Sequence, residues 1–185
     1  MIYLGIDSSL SCTAVGAITL DGLGKPKLLS YSKIPTEPSM LYTERCIKIA
    51  TEVKKFILPY TDKSLIVGIE TPNSFRGGDV TRKLCGLYGI MLYVVKQDLG
   101  LDIREVNTMH AKKMTTGVGS ADKAKIVKKV NGLFKLDLRY SKNKNKSDDD
   151  VADAISIAYC MLRDDSIRKK SIKKKSKTKK RRKRG

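Results

Sequence analysis

Two apolar segments of this 185-residue chain end alike: Leu4-Gly5-Ile6-Asp7 and Val67-Gly68-Ile69-Glu70 each close a run of strand formers with glycine, isoleucine and an acid. A third acidic group, Asp148 to Asp153, lies far downstream. A carboxylate beside a core is costly unless a cation meets it, so two matching cases point to a shared metal. On a helix Asp150 and Asp153, three apart, share a face, as do Asp149 and Asp153, four apart. Acids in a first helical turn also complement the helix dipole, which accounts for Asp148, Asp149 and Asp150 without any metal. Asp153, flanked by Ala152, Ala154 and Ile155, falls outside that explanation. The candidate metal ligands on this reading are Asp7, Glu70 and Asp153, with Asp149 or Asp150 on the same helical face as Asp153. Oxygen-only donors, without a thiolate pair or a histidine cluster, point to Mg2+, with Mn2+ able to substitute. Two such ions roughly 4 Å apart suit an in-line phosphodiester displacement that needs no covalent enzyme intermediate.

The elements that must position these acids follow from hydrophobic periodicity. Ile2 to Ile6, Thr13 to Leu20 and Lys27 to Ile34 read as three strands of a meander, with Asp21-Gly22 and Gly24 in the turn. Ser39 is expected to cap a helix with Tyr42, Cys46, Ile49, Val53 and Phe56 inward, and Ser64 to Ile69 reads as a strand buried on both faces. Asp79 is expected to cap a second helix with Val80, Leu84, Leu87, Tyr88, Met91, Leu92 and Val95 inward, stopped by Gly100. Gly86 and Gly89 inside it suggest close approach of another backbone, as in a dimer contact. Leu101 to Val106 is a fifth strand. Ser120 is expected to cap a helix with Ala124, Val127, Val130 and Phe134 inward, and Lys125, Lys128 and Lys129 on a basic face able to track phosphates. Lys142 to Lys146 reads as a linker before a final helix from Asp148, with Val151, Ile155, Tyr159 and Leu162 as its apolar stripe. The expected class is α/β, a five-stranded mixed sheet flanked by helices, with the first and fourth strands adjacent and parallel. Asp7 and Glu70 then meet beyond the carboxyl ends of the strands, where α/β sheets build their sites.

Charge divides the chain. Of 38 Lys and Arg residues, 13 lie within residues 166 to 185 together with no acid, which leaves 25 against 19 acids in the body. The body therefore carries +6 of the total +19. The expected organisation is one domain over residues 1 to 165 followed by a disordered basic tail over 166 to 185, whose natural partner is a polyanion. No apolar stretch long enough for a membrane span accompanies it. Met1 to Leu10 carries Asp7 and no basic leader, so a cytoplasmic location is expected. Cys12, Cys46, Cys85 and Cys160 stand far apart without a CxxC pair, which argues against zinc. The single histidine, His110, just before two lysines, reads as a loop or helix-start residue rather than a ligand.

Gly5-Ile6-Asp7, Ile69-Glu70, Thr116-Gly117-Val118-Gly119-Ser120-Ala121-Asp122-Lys123 and Asp150-Val151-Ala152-Asp153-Ala154-Ile155 occur in the order and rough spacing of the RuvC family of Holliday junction resolvases. The resemblance covers residues 1 to about 163, and the Gly-Val-Gly-Ser-Ala-Asp-Lys stretch is its most specific element. It implies an RNase H-like fold, a homodimer built on the second helix, Mg2+ dependence and paired symmetric nicks that resolve a four-way DNA junction. Asp7, Glu70, Asp150 and Asp153 match the family's catalytic acids. Lys112 and Lys123 match basic residues near the scissile phosphate, with Lys113 in place of Lys112 if the register shifts by one. An aromatic that the family places soon after its second acid falls near Asn73, and Phe75 is the nearest candidate for stacking at the junction centre. The basic tail is additional to the family pattern.

Three other readings are compatible with parts of the chain. A general RNase H-like nuclease acting on flaps or hybrids needs the same acids. A non-catalytic basic DNA-binding protein would use the tail and lysine faces alone. Gly5-Ile6-Asp7 with Thr13 also resembles the first phosphate loop of sugar-kinase and actin-like ATPases, but those proteins need two such domains and glycine-rich nucleotide contacts absent here.

Overall fold

The middle of the sheet consists of strands whose two faces are both covered, and this sets the whole architecture. A computed structural model describes residues 1–72, 78–143 and 146–182, with side chains through Ile172. Strands β1 (Ile2–Asp7), β2 (Cys12–Leu20) and β3 (Pro26–Pro35) form the antiparallel meander. Helix α1 (Tyr42–Ile57) and a 3-10 turn at Leu58–Tyr60 lead into β4 (Leu65–Glu70), which lies parallel to β1. Helix α2 (Gly78–Tyr93) continues as a π-helical turn, Val94–Asp98, before β5 (Asp102–Val106) pairs parallel with β4. The sheet order is β3-β2-β1-β4-β5. Helices α3 (Thr108–Thr116), α4 (Lys123–Phe134) and α5 (Asp149–Arg182) follow.

Alternation along the central strands divides the core in two. Leu4, Ile6, Val67 and Ile69 point to the layer of α1 and α2 and pack with Cys46, Ile49, Val53, Leu87 and Met91. Tyr3 and Ile66 point the other way, toward the α5 layer with Ile126, Val130, Ile155 and Met161. On that second face Gly5 sits opposite Gly16 on one side and Gly68 on the other, a row of three glycines crossing β2, β1 and β4. Helix α5 lies directly on the row. A Cβ at Gly5 would overlap the Ala154 carbonyl oxygen and come within 2.8 Å of Ala158 N, one at Gly16 would meet Ile155 Cγ1 at 2.8 Å, and one at Gly68 would meet Met161 Cε at 2.6 Å. Asp7 and Glu70 follow their glycines by two residues, so they share the α5 side of the sheet.

Several local expectations are corrected. Helix α1 is entered at Leu41, whose N–H donates to Glu44 Oε2 at 2.8 Å, rather than capped by Ser39. Helix α4 is capped by Asp122, whose carboxylate accepts from Lys125 N at 2.8 Å, rather than by Ser120. This moves Ile126 inward beside Val127 and Val130 and leaves Ala124 exposed. Asp79 lies inside the first turn of α2, paired with Arg82 and Lys83, and Val80 is exposed. Gly86 receives the Tyr42 hydroxyl, a side chain rather than a backbone, and Gly89 faces open space. Gly100, at φ +62°, ends the helical run as expected.

Helix α5 continues to Arg182. Lysine and arginine are good helix formers, and a helix already anchored by Val151 to Leu162 needs no new nucleus to extend. Beyond Leu162 the anchoring contacts thin out, and Ile167 and Ile172 are exposed. Among the described residues no helix is long and apolar enough to cross a membrane.

Candidate active site

The parallel pairing of β1 and β4, with Ile6 opposite Ile69, carries Asp7 and Glu70 to the same end of the sheet. Helix α5 begins at that end, and its 3.6-residue turn directs Asp150 and Asp153 toward the strand acids. All four acids line one cleft of ≈ 360 Å³, together with Ser8, Ser9, Thr108, Lys112 and Lys123. The segments that meet there are separated by more than a hundred residues of chain between Asp7 and Asp150.

The acids perturb one another. Asp7 exposes only a small face to the cleft, and burial followed by the nearby charges of Asp153, Glu70 and Asp150 holds its carboxyl well above the usual range, against a smaller opposing effect of Lys123. Burial also pushes Asp153 up to about 6, with Lys123 opposing and Glu70 adding to the rise. The Glu70 carboxylate accepts a hydrogen bond from the Thr108 hydroxyl at the start of α3.

Lys123 enters this cluster from the first turn of α4. Its ammonium donates to Asp149 and lies 3.5 Å from Asp153 Oδ2 and 3.6 Å from Asp150 Oδ1. Burial alone would lower its pKa, but the Asp149 hydrogen bond and the charges of Asp153, Asp149 and Asp150 carry it above the ordinary lysine range. Burial likewise pushes Asp149 up, and hydrogen bonds from Lys123 and Ser147 outweigh it, so that carboxyl lies below its usual value. Asp148 is turned elsewhere, accepting from Arg139 N at 3.0 Å and pairing with Lys33 at 3.3 Å. Among the described residues Lys123, Thr108 and Asp149 are parts of this site that pattern reading does not assign in these roles. The helix α3 that carries Thr108 has no periodic stripe to reveal it.

Of the basic candidates, Lys112 lines the cleft and Lys113, one residue on, is exposed outside it. Lys125, Lys128 and Lys129 are exposed on α4, as expected of a face meeting solvent or phosphate. Phe75 lies outside the described residues. Cys12, near the mouth, has its thiol pKa raised by burial and by the adjacent Asp150 carboxylate.

A divalent cation fits this donor set. Four carboxylates gathered in one cleft, two of them, Asp7 and Asp153, with pKa values raised by burial and neighbouring charge, form a locus of negative potential built for positive charge. Their oxygens do not draw into a tight three-ligand cage; the one group of three His, Cys, Asp or Glu ligand atoms within 4.8 Å among the described residues is His110, Cys160 and Asp164. Mg2+ tolerates such spacing, because it keeps several waters and needs only one or two direct carboxylates.

A five-stranded sheet of this order, with acids at the ends of two adjacent parallel strands and on the helix that crosses them, defines the RNase H-like class. The family model described as crossover junction endodeoxyribonuclease RuvC matches residues 3–161, and the chain belongs to that family. Relatives of the same description include one from Alkaliphilus oremlandii, 31% identical over 160 residues, covering 86% of this chain and 92% of the relative. Another, from Caldicellulosiruptor saccharolyticus, is 28% identical over 162 residues, covering 88% and 92%. The fold is also that of Thermus thermophilus RuvC solved with a Holliday junction substrate, with a TM-score of 0.71 and 22% identity over 86% of this chain and 92% of that one.

Proposed function

We propose that this protein is a Mg2+-dependent endonuclease that nicks branched DNA and resolves four-way junctions by paired symmetric cuts. The observation that carries the reading is the convergence of Asp7, Glu70, Asp150 and Asp153 in one cleft that also holds Lys112. These acids would hold the metal, which Mn2+ can replace. When bound, the metal supplies an activated water and charge stabilisation for an in-line displacement at phosphorus. Lys112 contributes positive charge where a phosphodiester would enter, and Lys123 sets the local charge balance among the α5 acids. Thr108 holds the Glu70 carboxylate in orientation. Lys113, Lys125, Lys128 and Lys129 extend a phosphate-binding surface away from the cleft, and Phe75 is the candidate for stacking at the junction centre.

A four-way junction is two-fold symmetric, and a homodimer matches it by giving each opposed strand its own active site. The exposed face of α2 that carries Gly89 and, one turn on, Tyr93 is the surface we assign to that dimer.

The deciding experiment compares four-way, three-way, flap and RNA–DNA hybrid substrates with and without Mg2+, using the native chain and the Asp7→Asn and Glu70→Gln variants. The expected result is symmetric nicking of the four-way junction that requires Mg2+ and disappears in both variants while junction binding survives. Equal cutting of flaps or hybrids would replace the junction assignment. Full nicking by both variants would remove the carboxylate site from the reaction.

A further inference from the structure

Helices α3 and α5 bring together three metal-ligating side chains that the carboxylate cleft does not use. His110 Nε2 lies 3.1 and 3.0 Å from the two oxygens of Asp164, and Cys160 Sγ lies 3.9 Å from Asp164 Oδ2. The three ligand atoms all fall within 4.8 Å of one another. Cys160 and Asp164 are four residues apart on α5, so both project from one helical face, and His110 closes the set from the first turn of α3. The His110 and Asp164 side chains keep 43% and 34% exposure, whereas Cys160 is buried behind them. An ion arriving from solvent therefore meets the imidazole and carboxylate first and the thiol at the back.

We propose that His110, Cys160 and Asp164 form a binding site for a single Zn2+ ion, distinct from the carboxylate cleft, that clamps α3 to α5. A tetrahedral Zn2+ with nitrogen, oxygen and sulfur bonds of about 2.0 to 2.3 Å sets its ligands roughly 3.3 to 3.8 Å apart. The His110–Asp164 and Cys160–Asp164 separations of 3.0 and 3.9 Å lie close to that range, and the third, between His110 and Cys160, is no more than 4.8 Å, within reach of modest side-chain rotation. The mixed donor set suits Zn2+ and disfavours Mg2+, which does not take a thiolate. An ion pair between His110 and Asp164 would need no thiol beside the same carboxylate oxygen; a three-ligand metal site does.

The clamp joins the two helices that serve the cleft. Thr108, two residues before His110, bonds Glu70, and Lys112, two residues after it, lines the cleft. Helix α5 carries Asp150 and Asp153. Metal bound at this site therefore ties the orientation of α3 to the helix that bears the late acids. The site itself does not depend on the nuclease reading.

The test uses Co2+ as a visible stand-in for Zn2+ in the full chain, with excess Mg2+ present to occupy the oxygen-only acids. One equivalent of Co2+ is expected to produce the near-ultraviolet charge-transfer absorption of a thiolate ligand, and Zn2+ is expected to abolish it by displacement. Cys160→Ser removes the absorption, whereas Cys12→Ser, which alters the thiol near the carboxylate cleft, retains it. His110→Ala, at a half-exposed position, keeps the circular dichroism spectrum and weakens Co2+ binding about tenfold or more; it decides the matter should Cys160→Ser fail to fold. Absence of the absorption in the native chain, its loss with Cys12→Ser, or native affinity in His110→Ala overturns the proposal. Nuclease activity is not the readout, so a failure of the junction assignment leaves this test intact.

Discussion

The Lys123 ammonium stands 3.5 Å from the Asp153 carboxylate and donates to Asp149 one turn earlier on the same helix. A cation contributed by the chain thus sits among acids that otherwise repel one another. Removing it leaves the α5 carboxylates and Asp7 without their nearest positive neighbour. Lys123→Ala is expected to lower the metal-free thermal midpoint at pH 7.5, and Mg2+ is expected to raise the midpoint of the variant more than that of the native chain. Identical midpoints and identical Mg2+ responses would show that the ion pair has no part in balancing the site.

The raised pKa values set a pH dependence with a definite sign. Asp153 titrates near 6 in the folded chain against an ordinary value of 3.8, and Asp7 is displaced in the same direction. Each contributes stability that is fully present below the ordinary carboxylate range and is lost as pH rises through the folded value. With a chelator present, the thermal midpoint should therefore fall between about pH 4 and pH 7. Saturating Mg2+ should flatten that fall, since it binds the deprotonated acids. A chelated midpoint that climbs steadily over this interval would contradict the assignment of raised pKa values to these two aspartates.

The basic extension is expected to be separable from the body. Asp164 and Asp165 still bond across to His110 and to Tyr3 and Arg104, so a chain ending at Asp165 keeps the contacts that seat α5. Deleting residues 166 to 185 removes 13 basic residues. Junction affinity should fall and its dependence on salt concentration should become shallower, while hydrolysis at saturating DNA persists. A truncated chain that binds with the native salt slope would show that those charges do not meet phosphate.

Gly5→Ala is expected to destabilise the protein by ~1–3 kcal/mol or more, because the added methyl meets main-chain atoms of α5 that cannot rotate away. Activity should fall with stability, since the displaced helix carries Asp150 and Asp153. Urea unfolding of the variant without Mg2+ measures the first effect. An unchanged midpoint would mean that α5 can lift from the sheet at no cost.

Much of this arrangement was legible in the chain because its periodicities are strong. The apolar runs mark five strands, those ending at Asp7 and Glu70 stand side by side and parallel as expected, and the stripe Val151, Ile155, Tyr159 and Leu162 identifies the face of α5. The caps are less legible: Ser39 and Ser120 are good capping residues, but the helix starts are held instead by local bonds to the Glu44 and Asp122 carboxylates. Helix α3 escaped notice because its burial rests on Ala111 and Thr115, too few positions for a stripe. The His110, Cys160 and Asp164 group was invisible for a related reason. Its donors come from two helices fifty residues apart, and no spacing rule for zinc motifs spans such a gap.

At Gly5, two residues before Asp7, main chain of α5 rests directly on main chain of β1, while the Ile155 and Met161 side chains fill the space over the flanking Gly16 and Gly68. Layers padded by leucine and methionine can drift as their fillers are exchanged, and the α1 and α2 side of the molecule is of that kind. On the other side the contact at Gly5 is a hard stop. The gap across which Asp7 faces Asp153 is thereby inherited from peptide geometry, and sequence change in the outer helices can proceed without retuning it.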